Sequence, residues 1–317
     1  MKKNVTLVLS GGGARGFAHI GAIEEIERRG YTINSIAGTS MGALVGGVYA
    51  VGKMNEYKEW VYNLDKQEIF KLLDFSFTNQ GLIKGDKVLN KMKEFIPDAN
   101  IEDLHINYSA TAFDLAHNKE IVFREGSLYN AIRASISIPT VFTPVLSGDS
   151  VLVDGGVINN IPIKNAIRTE NDLLIAVYVN ADIPVHRINI PEKIVKHALY
   201  LQRINEFKKS FFKSNSTEQV KKFNYFNLIN NTIAIMTNHL ATEIIKNTPP
   251  DMLIEISKKT CETFDFYKAE ELVEIGRFAT KEKFDSKCGM QKKNVGLTDK
   301  SVEFLDVKIS NQKKQYN

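Results

Sequence analysis

Residues 4–51 read NVTLVLSGGGARGFAHIGAIEEIERRGYTINSIAGTSMGALVGGVYAV. Short apolar runs alternate in this segment with stretches whose apolar residues recur at helical spacing. The resulting order, strand–helix–strand–turn–helix, is typical of a parallel sheet with helices on its faces, so we expect an α/β fold. The predicted elements are a strand over 4–10, a helix over 14–29 ended by Gly30, a strand over 33–37 and a helix over 43–51.

Two glycine-containing motifs lie where these strands pass into helices. The run 11–16 follows the first strand, and Gly38-Thr39-Ser40-Met41-Gly42 follows the second. A serine in a G-x-S-x-G turn between a strand and a helix is suited to be the nucleophile of acyl transfer. Backbone N–H groups at a helix start favour anions, so the run 11–16 is suited to hold an oxyanion. The pair indicates a serine acyl hydrolase, and the alternative for the turn is an ordinary Gly/Ser loop.

The glycine run has two other interpretations, both of which bind phosphate. It matches the dinucleotide fingerprint G-x-G-x-x-G, but that site needs an acidic residue about 20 positions later, where residues 34–36 read Asn-Ser-Ile. A P-loop needs Lys and then Ser or Thr after the last glycine, where residues 17–18 read Phe-Ala. Both interpretations therefore lose support.

A third motif, Asp154-Gly155-Gly156, follows a predicted strand over 151–153. Its ordinary interpretation is a hairpin turn. The functional interpretation is an acidic residue at the end of a strand, where open α/β sheets bind their ligands. Other predicted elements are strands over 108–113, 120–123 and 173–179, helices over 127–135 and 267–284, and a mixture of helix and loop over 60–97.

Composition limits the class of protein. The chain has 317 residues, 43% of them hydrophobic and 25% charged, which is ordinary for a soluble globular protein. No apolar stretch reaches 18 residues, so we predict no transmembrane helix, and we interpret the first residues as a strand rather than a signal peptide. Two cysteines make no disulfide framework and favour a reducing, cytoplasmic setting. The net charge of +4 does not indicate a nucleic-acid partner.

Positive charge is concentrated in residues 187–226. This segment holds nine Lys/Arg against three Asp/Glu, with Phe and Tyr interleaved, and residues 192–213 match a basic amphipathic helix. Two interpretations stay open: a lid that contacts an anionic membrane, and a structural cap whose lysines face water.

Three histidines follow both Ser40 and Asp154, as a Ser-Asp-His chain order requires. They are His186, His197 and His239, and none of them lies in a sequence motif typical of a catalytic histidine.

Four motifs in order resemble the patatin-like phospholipases. They are the run 11–16, the turn 38–42, the Ala-Ser block 134–139 (ASISIP) and the acidic motif 154–156. The resemblance covers residues 4–182, and residues 265–276 are also similar to the C-terminal helix region of bacterial members.

The resemblance implies a three-layer α/β/α fold with a mostly parallel central sheet and a helical C-terminal region. It implies hydrolysis of glycerolipid acyl esters by a Ser40–Asp154 dyad, with no catalytic histidine, metal or cofactor. It places Gly38 and Gly42 in the elbow. The implied oxyanion hole comprises Gly11, Gly12, Gly13, Arg15 and Gly16. The resemblance implies a catalytic core over 4–182. We further expect a helical region packed on it over 183–286, which includes the candidate lid or membrane-facing segment, and a polar, lysine-rich tail over 287–317.

A Ser–Asp dyad works only if its aspartate is basic enough to take the serine proton. A carboxylate with an unperturbed pKa of ~3.9 is a poor base, and burial strengthens it. We therefore expect Asp154 to be partly buried and within hydrogen-bond reach of Ser40. Three alternatives remain open: a Ser-His-Asp carboxylesterase acting on small soluble esters, a non-catalytic lipid-binding regulatory protein, and a dinucleotide-binding protein.

Overall fold

The computed structural model describes residues 3–72, 85–185 and 225–287, which contain one central sheet with helices against it. The strands are β1 (Asn4–Leu9), β2 (Thr32–Thr39), β3 (Asn107–Asp114), β4 (Lys119–Phe123), β5 (Val145–Ser147), β6 (Ser150–Asp154), β7 (Leu173–Ala181) and β8 (Met252–Ser257). The helices are α1 (Ala18–Arg28), α2 (Met41–Ala50), α3 (Met54–Tyr62), α4 (Lys66–Leu72), α5 (Asp86–Lys93), α6 (Leu128–Ser135), α7 (Tyr225–Asn247) and α8 (269–287).

The sheet is mixed and has the order β5-β6-β3-β2-β1-β7-β8, with β4 also paired to β3. The strands from β3 to β8 along this order are parallel, and β4, β5 and β6 pair antiparallel. Residues of β7 alternate between two cores, Ile175 and Val177 facing the larger core with α1 and α2, and Ala176 facing a second core with α7. Helices therefore cover both faces, which confirms the three-layer α/β/α fold.

The register of β3 brings two distant strand ends together. β4 occupies one edge of β3 over Ala110–Asp114, so β2 and β6 share the opposite edge. Thr39, the last residue of β2, lies beside Thr111, and Asp154, the last residue of β6, lies beside Ala112. β2 and β6 run towards each other, and their carboxyl ends meet.

The C-terminal region is helical, as expected, and also contributes one strand to the sheet. The described part of residues 183–286 contains α7 and most of α8, together with β8, which extends the sheet by pairing with β7. The alternation of buried Met252, Ile254 and Ile256 is the pattern of a strand with one face on the larger core. The boundary predicted at residue 182 thus falls between two neighbouring strands. The helix predicted over 192–213, most of the basic segment 187–226 and the tail beyond residue 287 lie outside the described residues.

Candidate active site

Ser40 occupies a sharp turn between β2 and α2. Its backbone has φ 54° and ψ −123°, a strained conformation for a non-glycine residue. The turn depends on close backbone approach: a Cβ at position 42 would lie 2.2 Å from the Leu9 carbonyl oxygen, and one at position 38 would lie 2.5 Å from the Ala43 nitrogen. Gly38 and Gly42 therefore permit the elbow, and Ser40 is 5% exposed.

Asp154 lies at the meeting point of β6 and β2. Its Oδ1 accepts a hydrogen bond from the Gly156 amide at 2.7 Å, and the Ser40 hydroxyl lies near enough to interact with the carboxylate. Burial raises the pKa of Asp154 to about 7, although the Gly156 amide and the Ser40 hydroxyl both act to lower it. Asp154 is therefore buried beside Ser40, and a carboxyl group with this pKa can accept a proton near neutral pH.

The glycine-rich run passes beside Ser40 and leads into α1 through a 3-10 turn over Gly13–Phe17. Asn160 and Thr263 hold it on either side, because the Gly11 amide donates to the Asn160 carbonyl at 2.9 Å and the Ala14 amide donates to the Thr263 carbonyl at 2.8 Å. Among the turn and loop hydrogen bonds of the described residues, none is donated by the Gly12 or Gly13 amide to a backbone carbonyl. Both glycines line the cleft that contains Ser40 and Asp154.

Arg15 braces this loop. Its Nε donates to Asn180 Oδ1 at 3.0 Å and its Nη1 donates to the Cys261 carbonyl at 2.8 Å. Asn180 in turn donates to the Gly11 carbonyl at 2.7 Å. Burial lowers the pKa of the Arg15 guanidinium from its ordinary value. Gly16 has a different role, since a Cβ there would lie 2.3 Å from Met41 Cγ, so it allows close packing against α2.

Two cavities meet at Ser40. One is apolar, has a volume of about 100 Å³ and is lined by Phe17, Leu44, Tyr57, Trp60 and Met92 among others. The other, called the polar cleft here because charged and amide side chains form part of its wall, has a volume of about 210 Å³. Its lining includes Asp154, Gly12, Arg15, Asn160, Asn180 and Thr237, together with apolar residues such as Val141 and Phe264. Gly13, Ser40 and Ile138 line both. An ester carbonyl at Ser40 therefore adjoins an apolar space and a second space whose lining is mixed polar and apolar.

The histidines considered from the sequence do not approach this site in the described residues. His239 is exposed on α7, and His186 and His197 lie outside the described ranges. His19 is buried, with Nε2 at 2.8 Å from the Ser10 carbonyl, and burial lowers its pKa to about 4. None of the four histidines that the structure describes lines either cavity.

Sequence reasoning missed the residues that hold the site from outside its motifs. Asn160 and Asn180 bind the glycine loop, and Ser135 binds the Ser40 amide at 2.8 Å. Asn180 is the penultimate residue of β7, so a polar residue closing an apolar strand was the available signal. Ser135 lay in the Ala-Ser block but had no assigned role.

Comparison with known proteins gives consistent matches. The family described as patatin-like phospholipase matches residues 7–167. An uncharacterized NTE family protein of Mycobacterium bovis is 32% identical over 322 residues, covering 86% of this chain and 89% of that protein. Lysophospholipase NTE1 of Kluyveromyces lactis is 27% identical over 280 residues, covering 86% of this chain and 18% of that protein. The crystal structure of VipD from Legionella pneumophila aligns with a TM-score of 0.48 and 15% identity, covering 90% of this chain and 67% of that one.

Proposed function

The chain belongs to the patatin-like phospholipase family, and we propose that it cleaves fatty-acyl esters of glycerolipids with Ser40 as nucleophile and Asp154 as base. The observation that carries this proposal is the position of the Ser40 hydroxyl beside a buried carboxylate whose pKa is raised to about 7. A serine hydroxyl is a weak nucleophile and needs such a base. The family membership alone implies lipid acyl hydrolysis, and the residue roles are our assignment.

In the proposed reaction, Asp154 takes the Ser40 proton while Oγ forms a bond to the ester carbonyl carbon. The Gly12 and Gly13 amides donate to the oxyanion that develops, and loss of one such donor typically costs ~10²–10³ in kcat. The intermediate then expels the alcohol, which receives the proton from Asp154. Water then attacks the acyl carbon while Asp154 takes its proton. The bond from Ser40 Oγ to the acyl carbon breaks, Oγ receives the proton back from Asp154, and the fatty acid leaves.

The two cavities support a lipid ester as substrate. We place the acyl chain in the apolar cavity and the alcohol part of the ester in the polar cleft. That cleft offers the side-chain amides of Asn160 and Asn238, and its wall also contains Arg15 and Asn180, which are bonded to each other. This arrangement suits a molecule with one apolar end and one polar end.

The protein reaches its lipid, we propose, by peripheral contact of α7 with an anionic membrane. One side of α7 lines the polar cleft with Ala234 and Thr237, while Ile235 and Met236 are 70% and 60% exposed. Residues 225–242 contain no Asp, Glu, Lys or Arg, and the preceding segment 187–226 is strongly basic. An uncharged helix that follows a basic segment in the sequence suits an anionic lipid surface, where each Lys or Arg gains about 1 kcal/mol. In the described residues no helix is long and apolar enough to cross a membrane.

Hydrolysis of a lipid panel tests the proposed activity. Wild type and Ser40→Ala are assayed on a lysophospholipid, a diacyl phospholipid, a triacylglycerol and a short-chain p-nitrophenyl ester. We expect wild type to release fatty acid from at least one lipid and Ser40→Ala to release none above background. Equal rates for the two proteins, or hydrolysis of the soluble ester alone, would contradict the proposal.

Vesicle co-sedimentation tests the membrane contact. We expect binding to anionic vesicles that falls steeply with salt, and weaker binding when Ile235 and Met236 become Asn and Gln or when Lys208, Lys209 and Lys213 become Glu. Leu146→Gln is the control, because Leu146 is 74% exposed on β5. Hydrolysis of the soluble ester should be unchanged in all variants. Vesicle binding that is unchanged in the α7 variant would exclude a lipid-facing role for α7. A wild-type dimer that the α7 variant abolishes would exclude it as well.

A further inference from the structure

The end of α6 contacts both members of the proposed dyad. The Ser40 amide donates to Ser135 Oγ at 2.8 Å. The Asp154 amide donates to the Ser137 carbonyl at 2.9 Å. The backbone amides of the proposed nucleophile and base are therefore bonded to two residues that lie only two positions apart. Both belong to the tripeptide Ser135–Ser137 within the block 134–139.

The Ser135 hydroxyl also ties this segment to the sheet. It donates to the Thr111 carbonyl at 2.6 Å while it accepts from the Ser40 amide. Thr111 is the β3 residue beside which β2 ends, and the next residue, Ala112, pairs with Asp154. Ser135 is completely buried and thus bridges the elbow to the strand at the point where β2 and β6 meet.

The segment is itself held firmly. Arg133 Nη1 donates to Ser137 Oγ at 2.6 Å, and Ser137 Oγ donates to the Arg133 carbonyl at 2.8 Å. Arg133 Nη2 also donates to the Thr143 carbonyl at 3.2 Å, and Arg133 Nε donates to Asp86 at 2.9 Å. These bonds connect α6, α5 and the loop after the segment, so the tripeptide cannot shift without breaking several of them.

We propose that Ser135–Ser137 sets the distance between Ser40 and Asp154, and that Ser135 is a positioning residue for the nucleophile. This inference rests on the proposed function of the two dyad residues. The strained φ of Ser40 needs a partner that holds its amide in place. The Ser135 hydroxyl is that partner, and it touches no reacting atom itself.

Removing the hydroxyl has a specific consequence. In Ser135→Ala the Ser40 amide and the Thr111 carbonyl lose a buried partner, so the elbow is free to relax away from its strained backbone. The interaction between the Ser40 hydroxyl and the Asp154 carboxylate then weakens. Because that interaction lowers the pKa of Asp154, its loss raises the pKa further. A misplacement of about 1 Å in a reacting group costs on the order of 10²-fold in rate.

The experiment compares four proteins on a soluble short-chain ester: wild type, Ser135→Ala, Ser135→Thr and Ser257→Ala. Ser257 is a matched control at the edge of the sheet, because it too is fully buried, donates to a backbone carbonyl at 2.6 Å and accepts from a backbone amide at 3.3 Å. Measurements are kcat, KM, the pH dependence of kcat/KM and the urea midpoint.

We expect Ser135→Ala to lower kcat on the order of 10²-fold with little change in KM. The midpoint of the acid limb of kcat/KM moves to higher pH, Ser135→Thr recovers most of the rate, and Ser257→Ala loses stability without losing rate. If Ser135→Ala keeps the kcat and the acid midpoint of Ser257→Ala, the positioning role is refuted. A wild type without Ser40-dependent hydrolysis would instead refute the proposed function.

Discussion

Replacing Asp154 by Asn should abolish hydrolysis and, at neutral and higher pH, stabilise the protein. Asn keeps the shape of the side chain but removes the buried charge. Its carbonyl oxygen can still accept a hydrogen bond from the Gly156 amide, which in the wild type lies 2.7 Å from Asp154 Oδ1. Most replacements of a buried, hydrogen-bonded group destabilise a protein. A gain in stability would therefore show that the ionised Asp154 carboxylate destabilises the folded state.

The magnitude follows from the pKa of Asp154. Burial raises it from 3.8 to about 7 in the folded protein. Each pKa unit corresponds to about 1.4 kcal/mol, so the ionised carboxylate destabilises the folded state by roughly 4 kcal/mol relative to its protonated form. Between pH 3.8 and about 7 the folded state binds the proton and the unfolded state does not, so the contribution of Asp154 to stability falls as pH rises. The penalty is absent below this window and complete above it.

Urea unfolding of wild type and Asp154→Asn from pH 4.5 to pH 8.5 measures this directly. The other titrating groups cancel in the difference between the two proteins. The free energy of unfolding of the variant, relative to wild type, should increase with pH by roughly 3–4 kcal/mol over this range. A difference that is the same at pH 4.5 and pH 8.5 would refute the raised pKa and, with it, the reason that Asp154 can act as a base.

Three further predictions concern the rate. The acid limb of kcat/KM should have its midpoint near the pKa of about 7 given for Asp154, because the base must be ionised; a midpoint near pH 4 would contradict this. Gly42→Ala should abolish activity and lower the thermal midpoint, because its Cβ would lie 2.2 Å from the Leu9 carbonyl oxygen; a folded variant with wild-type kcat would show that the elbow tolerates a side chain. Single changes of His186, His197 and His239 to Gln should leave most of the activity, whereas a folded variant that loses about 10³-fold would favour a Ser-His-Asp triad.

The fold was predictable from sequence where local pattern and topology agree. The pattern of residues 4–51 predicts two parallel strands and two helices, and the structure contains them as β1, α1, β2 and α2. The turn at Ser40 was predictable because both of its glycines stand where a side chain would clash with backbone, Gly42 against Leu9 of β1 and Gly38 against Ala43 of α2. β8 was missed because a six-residue strand far from the motifs gives a weak signal beside the long polar and basic stretch that precedes it.

The arrangement of the site depends on contacts between distant segments. Nothing near Asp154 in the sequence indicates that β6 runs along the same edge of β3 as β2 and ends against it. The raised pKa of Asp154 comes from tertiary burial. Arg15, expected beside an oxyanion, lines the cleft with Ser40 and is held there by Asn180 and the Cys261 carbonyl, 165 and 246 positions away.

Covalent labelling with a fluorophosphonate tests the central assignment most directly, because the probe reacts with an activated serine whatever the natural lipid is. Peptide mass spectrometry of the labelled wild type should find the adduct on Ser40. Ser40→Ala should take up no probe, and Asp154→Asn should react far more slowly because its serine lacks a base. An adduct that persists in Ser40→Ala, or equal labelling rates for wild type and Asp154→Asn, would contradict the Ser40–Asp154 dyad.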